Sequence, residues 1–364
     1  TNSNIVWVAT NKGLYKSTDA GATWEKTFQN TVGDFRLKPG DPNTIYLVTQ
    51  SSFHVSRDGG ASWTQITQTF PPGAGRLVIG VSPANPSVVY VLVAGTINNN
   101  SPFLGLFRSD DSGATFRQTR NTTDIFERNQ AWYNLCIAVS PTNVDEVYTG
   151  AINIWKSIDG GDSFVRLNNN DSDVSQAYTH VDIHTLKFFN NKLYTGTDGG
   201  FYETDDGGLS FTDYNNGLAV TQFYRMSIAK NNASKISGGS QDNSGFIYND
   251  QEWNIYTSGD GMDYEINPVN SNEVYGFVQF GSVLFISTNS GQNLGGVSAP
   301  RDSNGNPISG EWITPLAISR DGEVYAGFDA VYKLSGNTWE KVSPTIGTDA
   351  LDDLEIDPLN PQVM

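Results

Sequence analysis

Cysteine is nearly absent from this chain. A single one, Cys136, occurs among 364 residues, which excludes any disulfide within the chain. Its place in the apolar run Leu135–Val139 marks it as a core residue and not a nucleophile. Cations are scarce too: 22 Lys and Arg stand against 39 Asp and Glu, a net charge of −17. No basic stripe exists to neutralise phosphates, so nucleic acid is excluded as a partner. No apolar run approaches the ~18 residues of a membrane-spanning helix. Linkers rich in Pro, Ser or Gly are also missing, so the length does not divide into the two or three domains it would ordinarily suggest. Histidine is limited to three residues, two of which, His180 and His184, lie four positions apart.

What the chain has in abundance is a repeat. Ser17-Thr-Asp19-Ala-Gly21-Ala-Thr-Trp24 recurs as Ser56-Arg-Asp58-Gly-Gly60-Ala-Ser-Trp63 and as Ser109-Asp-Asp111-Ser-Gly113-Ala-Thr-Phe116. Two more copies are Ser157-Ile-Asp159-Gly-Gly161-Asp-Ser-Phe164 and Thr204-Asp-Asp206-Gly-Gly208-Leu-Ser-Phe211, and a worn one is Ser287-Thr-Asn289-Ser-Gly291. Their first residues step by 39, 53, 48, 47 and 83, so one unit between the last two has lost its motif. Units of roughly 40–50 residues with about four short strands predict a β-propeller. The motif falls on the hairpin between the third and fourth strands of each unit. There Asp or Asn caps backbone N–H groups, Gly supplies φ > 0, and the final ring points between neighbouring sheets. It is a structural device.

The fold expected is all-β: one β-propeller over residues 1–364, with eight four-stranded blades. The first unit opens at Ile5–Thr10 without a first strand, and the chain ends after the strand-like Leu354–Asp357. Pairing of that C-terminal strand with the N-terminal blade closes the ring and removes two open edges. A fragment cut mid-repeat from a longer secreted protein gives the same pattern, and the two readings are compatible.

The repeat resembles the Asp-box, or bacterial neuraminidase repeat, of sialidases, xyloglucan-hydrolysing glycosidases and sortilin-type ectodomains. Thr179-His-Val-Asp-Ile-His-Thr-Leu186, Gly196-Thr-Asp-Gly-Gly-Phe-Tyr-Glu-Thr204 and Gly239-Ser-Gln-Asp-Asn-Ser-Gly245 are most similar to the sortilin-like and xyloglucanase-like propellers of secreted Bacteroidetes proteins. The resemblance covers essentially the whole chain and is specific for fold, much less so for activity. It implies an extracellular or outer cell-surface location and export by a type IX route. A sialidase is not implied, because the arginines are few and scattered and no opening Arg-Ile-Pro signature is present.

Two polar constellations carry the chemistry. His180, Asp182 and His184 share one face at strand spacing, a set suited to ligand binding or to a transition metal. Xyloglucanase-like enzymes place a catalytic Asp in a Thr-Asp-x-Gly-Gly stretch. Thr197-Asp198-Gly199-Gly200 is similar but lacks the intervening residue, and Asp242 in Gln241-Asp242-Asn243 stands in the matching hairpin one unit on. Asp198 and Asp242 are therefore the candidate catalytic pair, with Gln241 and Asn243 as further ligand-binding candidates. Asp302, Asn304 and Asn306 space oxygens as a calcium loop does, although Ile313 occupies the position that calls for Glu. Asp260–Glu265 and Asn168–Asp173 are looser oxygen-rich stretches, so Ca²⁺ is a candidate ligand of these loops, while no cofactor is specified by the sequence. The leading functional expectation is a non-catalytic binding or adhesion propeller for a glycan or protein partner at the cell surface. A glycoside hydrolase acting on polysaccharide through paired Asp residues is the alternative, and a structural or assembly module is the third reading.

Overall fold

The computed structural model describes residues 2–67, 70–96, 102–127, 130–168, 177–249, 251–357 and 359–360. Among them the regular structure is β throughout, apart from one 3₁₀ turn at Gln279–Gly281. Eight antiparallel sheets follow one another along the chain, seven of four strands and the first of three, each a simple meander. They fall into two compact units, Thr1–Leu218 with five sheets and Ala219–Met364 with three. The fold class is the expected one, and each sheet is a propeller blade.

The first sheet, Val6–Thr10, Gly13–Ser17 and Glu25–Phe28, is the exception to four strands. Leu354–Asp357, the residues expected to complete it, carry no strand pairing.

Sequence dictates these blades through the second strand of each unit. Val89–Gly95 reads Val-Tyr-Val-Leu-Val-Ala-Gly and is buried at every position. Such a run does not alternate because the strand has a sheet on both faces, which suits β-branched and aromatic side chains. Tyr90, Leu92 and Leu106 pack toward the fourth sheet with Leu135, Ile137 and Val147. Val89, Val91 and Val93 pack the other way, with Tyr46, Val48 and Phe53 of the second sheet. In the second unit Met262, Phe277 and Leu284 meet Ala326, Phe328 and Tyr332 in the same manner.

The repeated motif takes the expected role. In the first copy Ser17 Oγ donates to Asp19 Oδ1 at 2.7 Å and accepts the Gly21 N–H at 2.8 Å. Asp19 also accepts the Thr23 N–H at 2.8 Å and the Thr23 hydroxyl at 2.6 Å. The same bonds recur around Asp58, Asp111, Asp159 and Asp206. Hydroxyl donors at Thr23, Ser62, Thr115 and Ser210 are the largest cause holding Asp19, Asp58, Asp111 and Asp206 at about 2. Gly21, at φ 95°, occupies backbone space that an L side chain enters only with strain. The terminal rings Trp63, Phe116, Phe164 and Phe211 pack against the cores as expected. Trp24 does not: it is exposed, in the sheet that has only three strands.

Candidate functional site

The polar cluster lies in the first unit, where the chain enters the inner strand of the fifth sheet, Ile183–Phe189. Before that strand begins, the Asp182 N–H donates to the Ile152 carbonyl at 2.8 Å and the Ile183 N–H to Ala151 at 2.6 Å. Ile183 is fully buried, so the segment is pinned to the preceding sheet from below. Asp182 adopts φ 63°, a left-handed conformation that Asp tolerates better than most residues. The strand is therefore shorter than expected. His180 and Asp182 precede it, and the three polar residues do not alternate along one strand face.

His184 owes its direction to a β-bulge. Ile183 pairs with Thr197 and Thr185 with Gly196, so no residue stands opposite His184. Bulges re-aim a side chain in this way. The freed imidazole reaches the hairpin that joins Lys192–Thr197 to Gly200–Thr204, and His184 Nε2 lies 2.6 Å from Asp198 Oδ1. His180 packs on the same hairpin. A Cβ at Gly199 would fall 2.2 Å from its Cγ, so glycine is required there. His180 Nδ1 lies 3.0 Å from the Val181 carbonyl oxygen.

The fourth sheet supplies the rest of the site, and sequence reasoning missed it. Trp132 and Tyr133 precede the inner strand Cys136–Val139 and remain 59% and 57% exposed. The Tyr133 ring stands edge-on to His184 at 5.2 Å between centroids, and Trp132 lies 5.4 Å from Tyr133. Arg76 of the third sheet fixes this pair from behind: its Nη1 donates to the Trp132 carbonyl at 2.6 Å and also to the Tyr133 carbonyl. Asn134 is buried. Its Nδ2 donates to the Ala151 carbonyl at 3.0 Å and to Asp182 Oδ1 at 3.1 Å, while its Oδ1 has no partner. Burial first, and then the negative charge of Asp198, raise the Asp182 carboxyl above the ordinary carboxylate range. The one signal in the sequence was an adjacent Trp-Tyr pair set among polar residues just ahead of an inner strand.

Of the expected site residues, His180, Asp182, His184 and Asp198 thus gather in the first unit. Gln241, Asp242 and Asn243 belong to the second, in the hairpin between Ile236–Ser240 and Gly245–Asn249. There the Asp242 N–H donates to Asp260 Oδ1 at 2.7 Å, and Asp260 Oδ2 accepts from Gln279 Nε2 at 2.5 Å. The Asn243 N–H and Nδ2 both donate to the Gln241 carbonyl, at 2.6 and 3.1 Å.

Asp302 caps its own turn. One oxygen accepts the Asn304 and Asn306 N–H groups at 2.8 Å each, and the other accepts Asn306 Nδ2 at 3.2 Å. Asp263 and Glu265 sit on the strand Gly261–Ile266 and not on a loop. In the Asn168–Asp173 stretch, residues 169–173 lie outside the described residues. Among the described residues no three His, Cys, Asp or Glu side chains are grouped as a metal ion requires.

The family described as Sortilin, neurotensin receptor 3, matches residues 12–146. No curated protein matches the chain. Its fold is similar to that of a GH74 enzyme from Niastella koreensis, with TM-score 0.60 and 18% identity over 96% of this chain and 56% of that one. The GH74 xyloglucanase of Xanthomonas campestris matches at TM-score 0.38 and 13% identity over 94% of this chain and 69% of that one. The extracellular domain of a hybrid two-component system from B. thetaiotaomicron matches at TM-score 0.42 and 9% identity, covering 93% and 51%. Residues 12–146 are thus similar to the sortilin family, and the fold of the chain to that of a GH74 propeller. It spans about half the length of the Niastella enzyme. Its structural neighbours include both enzymes and an extracellular domain, and among the described residues no helix is long and apolar enough to cross a membrane.

Proposed function

We propose that this chain is an extracellular or cell-surface binding propeller, and that it recognises a glycan at the surface formed by Trp132, Tyr133, His184 and Asp198. The observation that carries this reading is the exposed Trp132–Tyr133 pair held edge-on against a His–carboxylate couple. Sugar rings have an apolar face that stacks on aromatic rings and hydroxyls that bond to carboxylate and imidazole, so one surface offers both halves of the recognition. The rigid backing from Arg76 and Asn134 lowers the ordering cost of binding. A glycan array followed by calorimetric titration tests it: saturable binding that is lost in both Trp132→Ala and Asp198→Asn is expected. Array-positive binding that survives both substitutions would place recognition elsewhere.

A second reading has its own observation. Asp182, with its raised carboxyl, feels the charge of Asp198, and carboxyls in contrasting environments are how glycosidases divide acid from base. In a hydrolase Asp182 is then the proton donor and Asp198, oriented by His184, the base, in place of the Asp198–Asp242 pair expected from sequence. Release of reducing ends from a polysaccharide panel, abolished by Asp182→Asn, supports this reading. No release from any substrate that binds eliminates it.

A further inference from the structure

The second unit has a cavity of its own, of about 570 Å³. It is lined by the inner strands Phe223–Ile228, Gly261–Ile266 and Leu316–Ile318 and by the segment 353–356. That volume lies within the ~300–1,000 Å³ of small-molecule sites. Charges of both signs face it: Arg225 and Lys230, and Asp263, Glu265, Asp353 and Glu355. Among the described residues no ion pair joins any of these six. Half-buried cations elsewhere do find carboxylates, as Lys156 finds Glu146 at 2.9 Å and Arg108 finds Asp110 at 2.8 Å. Even Arg320, also on the cavity wall, has Asp321 at 3.6 Å.

Two of the carboxyls are deeply placed. Asp263 is 9% exposed, and its Oδ2 accepts the Leu316 N–H at 3.0 Å. Glu265 Oε2 accepts the Ser227 hydroxyl at 2.7 Å. Burial pushes Asp263 up to about 6 and Glu265 up to about 7. Arg225 lies near enough to favour the Asp263 carboxylate and Lys230 near enough to favour that of Glu265, yet neither pair is in contact. A ligand that brings its own ammonium and carboxylate into the cavity therefore gains from both signs of charge. A bare metal ion satisfies neither need, since no three carboxylates are grouped for it and it would leave the cations unserved.

We propose that this cavity binds a zwitterion of amino-acid or dipeptide size, its ammonium on Asp263 and Glu265 and its carboxylate on Arg225 and Lys230. Calorimetric titration of the whole chain with the twenty standard amino acids, Gly-Gly and Ala-Ala at pH 8 tests it. At least one probe is expected to bind saturably at one site. Its N-acetyl and amide forms should each bind at least tenfold more weakly, and binding should fall between pH 8 and pH 5.5 as the two carboxyls take up protons. Glu265→Gln and Arg225→Gln should each weaken binding at least tenfold, while Arg225→Lys retains it within a few fold. Lys230→Gln and Asp263→Asn provide the same comparison if either first variant unfolds. An amide that binds as tightly as the zwitterion overturns the proposal, and so does the absence of saturable binding by every probe.

Discussion

Replacing Trp132 with alanine separates recognition from folding, because the residue is more exposed than buried. An indole side chain offers roughly 250 Å² of surface. With 59% of Trp132 exposed, about 150 Å² is open to a ligand. A sugar ring covering half of that area at ~25 cal/mol/Å² gains about 2 kcal/mol. Its loss raises Kd about 30-fold. The ~100 Å² already buried caps the folding penalty at about 2.5 kcal/mol, an upper bound because unfolded chains also bury surface. Calorimetric titration with the best ligand from the glycan array measures the first quantity, and urea unfolding the second. Trp132→Phe keeps a ring in place and should hold Kd within a few fold. Unchanged affinity in Trp132→Ala, with the protein folded, would refute the stacking argument whatever the array shows.

Arg76 acts through Trp132 and Tyr133, whose carbonyls it holds, so Arg76→Ala should weaken glycan binding while Arg76→Lys restores part of it. His184→Ala removes the 2.6 Å contact to Asp198, so the losses from His184→Ala and Asp198→Asn should be less than additive, which a double-mutant cycle reads directly. Stability should peak near pH 4–5, measured by thermal melts across pH. The motif carboxyls at about 2 lie below their unfolded range, so their contribution is present above about pH 4 and is lost as pH falls toward 2. Asp263 and Glu265 have the opposite sign: raised to about 6 and about 7, they favour the folded state when protonated, and that advantage is lost as pH rises through 6 and 7. Glu265→Gln should therefore flatten the neutral limb and leave the acid limb alone.

The blades were legible in the sequence because each repeats the same local bargain. Ser17 to Trp24 and its copies specify a hairpin through bonds spanning four residues, and Val89–Gly95 specifies a strand buried on both faces. Such contacts are encoded within a dozen positions. The site was only half legible. His184 and Asp198 are drawn together by a ladder between adjacent strands, which the spacing could suggest. Arg76, Trp132 and Asn134 reach the same place from two other sheets, and no local pattern reports that Arg76 meets carbonyls 56 and 57 residues away. The alternation rule failed at His180 and Asp182 because tertiary bonds to Ala151 and Ile152 hold the chain out of the strand. The oxygen-rich pattern of Asp260–Glu265 suggests a loop, yet Gly261 opens a strand that carries both Asp263 and Glu265.

A bulge lies at the start of the inner strand in both proposed sites, away from the repeated motif. It recurs at the same point of the ladder in the third, fifth, sixth and seventh sheets, where the extra residues are Gly75, His184, Tyr224 and the step Met262–Asp263. The motif spends its carboxylate on its own hairpin, so every copy reproduces the same bonds and its Asp has none to offer a ligand. A bulge does the reverse, since it leaves one residue without a cross-strand neighbour and lets the side chain there be chosen freely. Glycine at 75 makes that position silent. Histidine at 184 reaches Asp198, and aspartate at 263 turns toward a cavity. One backbone device is thus used repeatedly, and it frees single positions, His184 and Asp263 among them, whose side chains the ladder does not commit to a cross-strand neighbour.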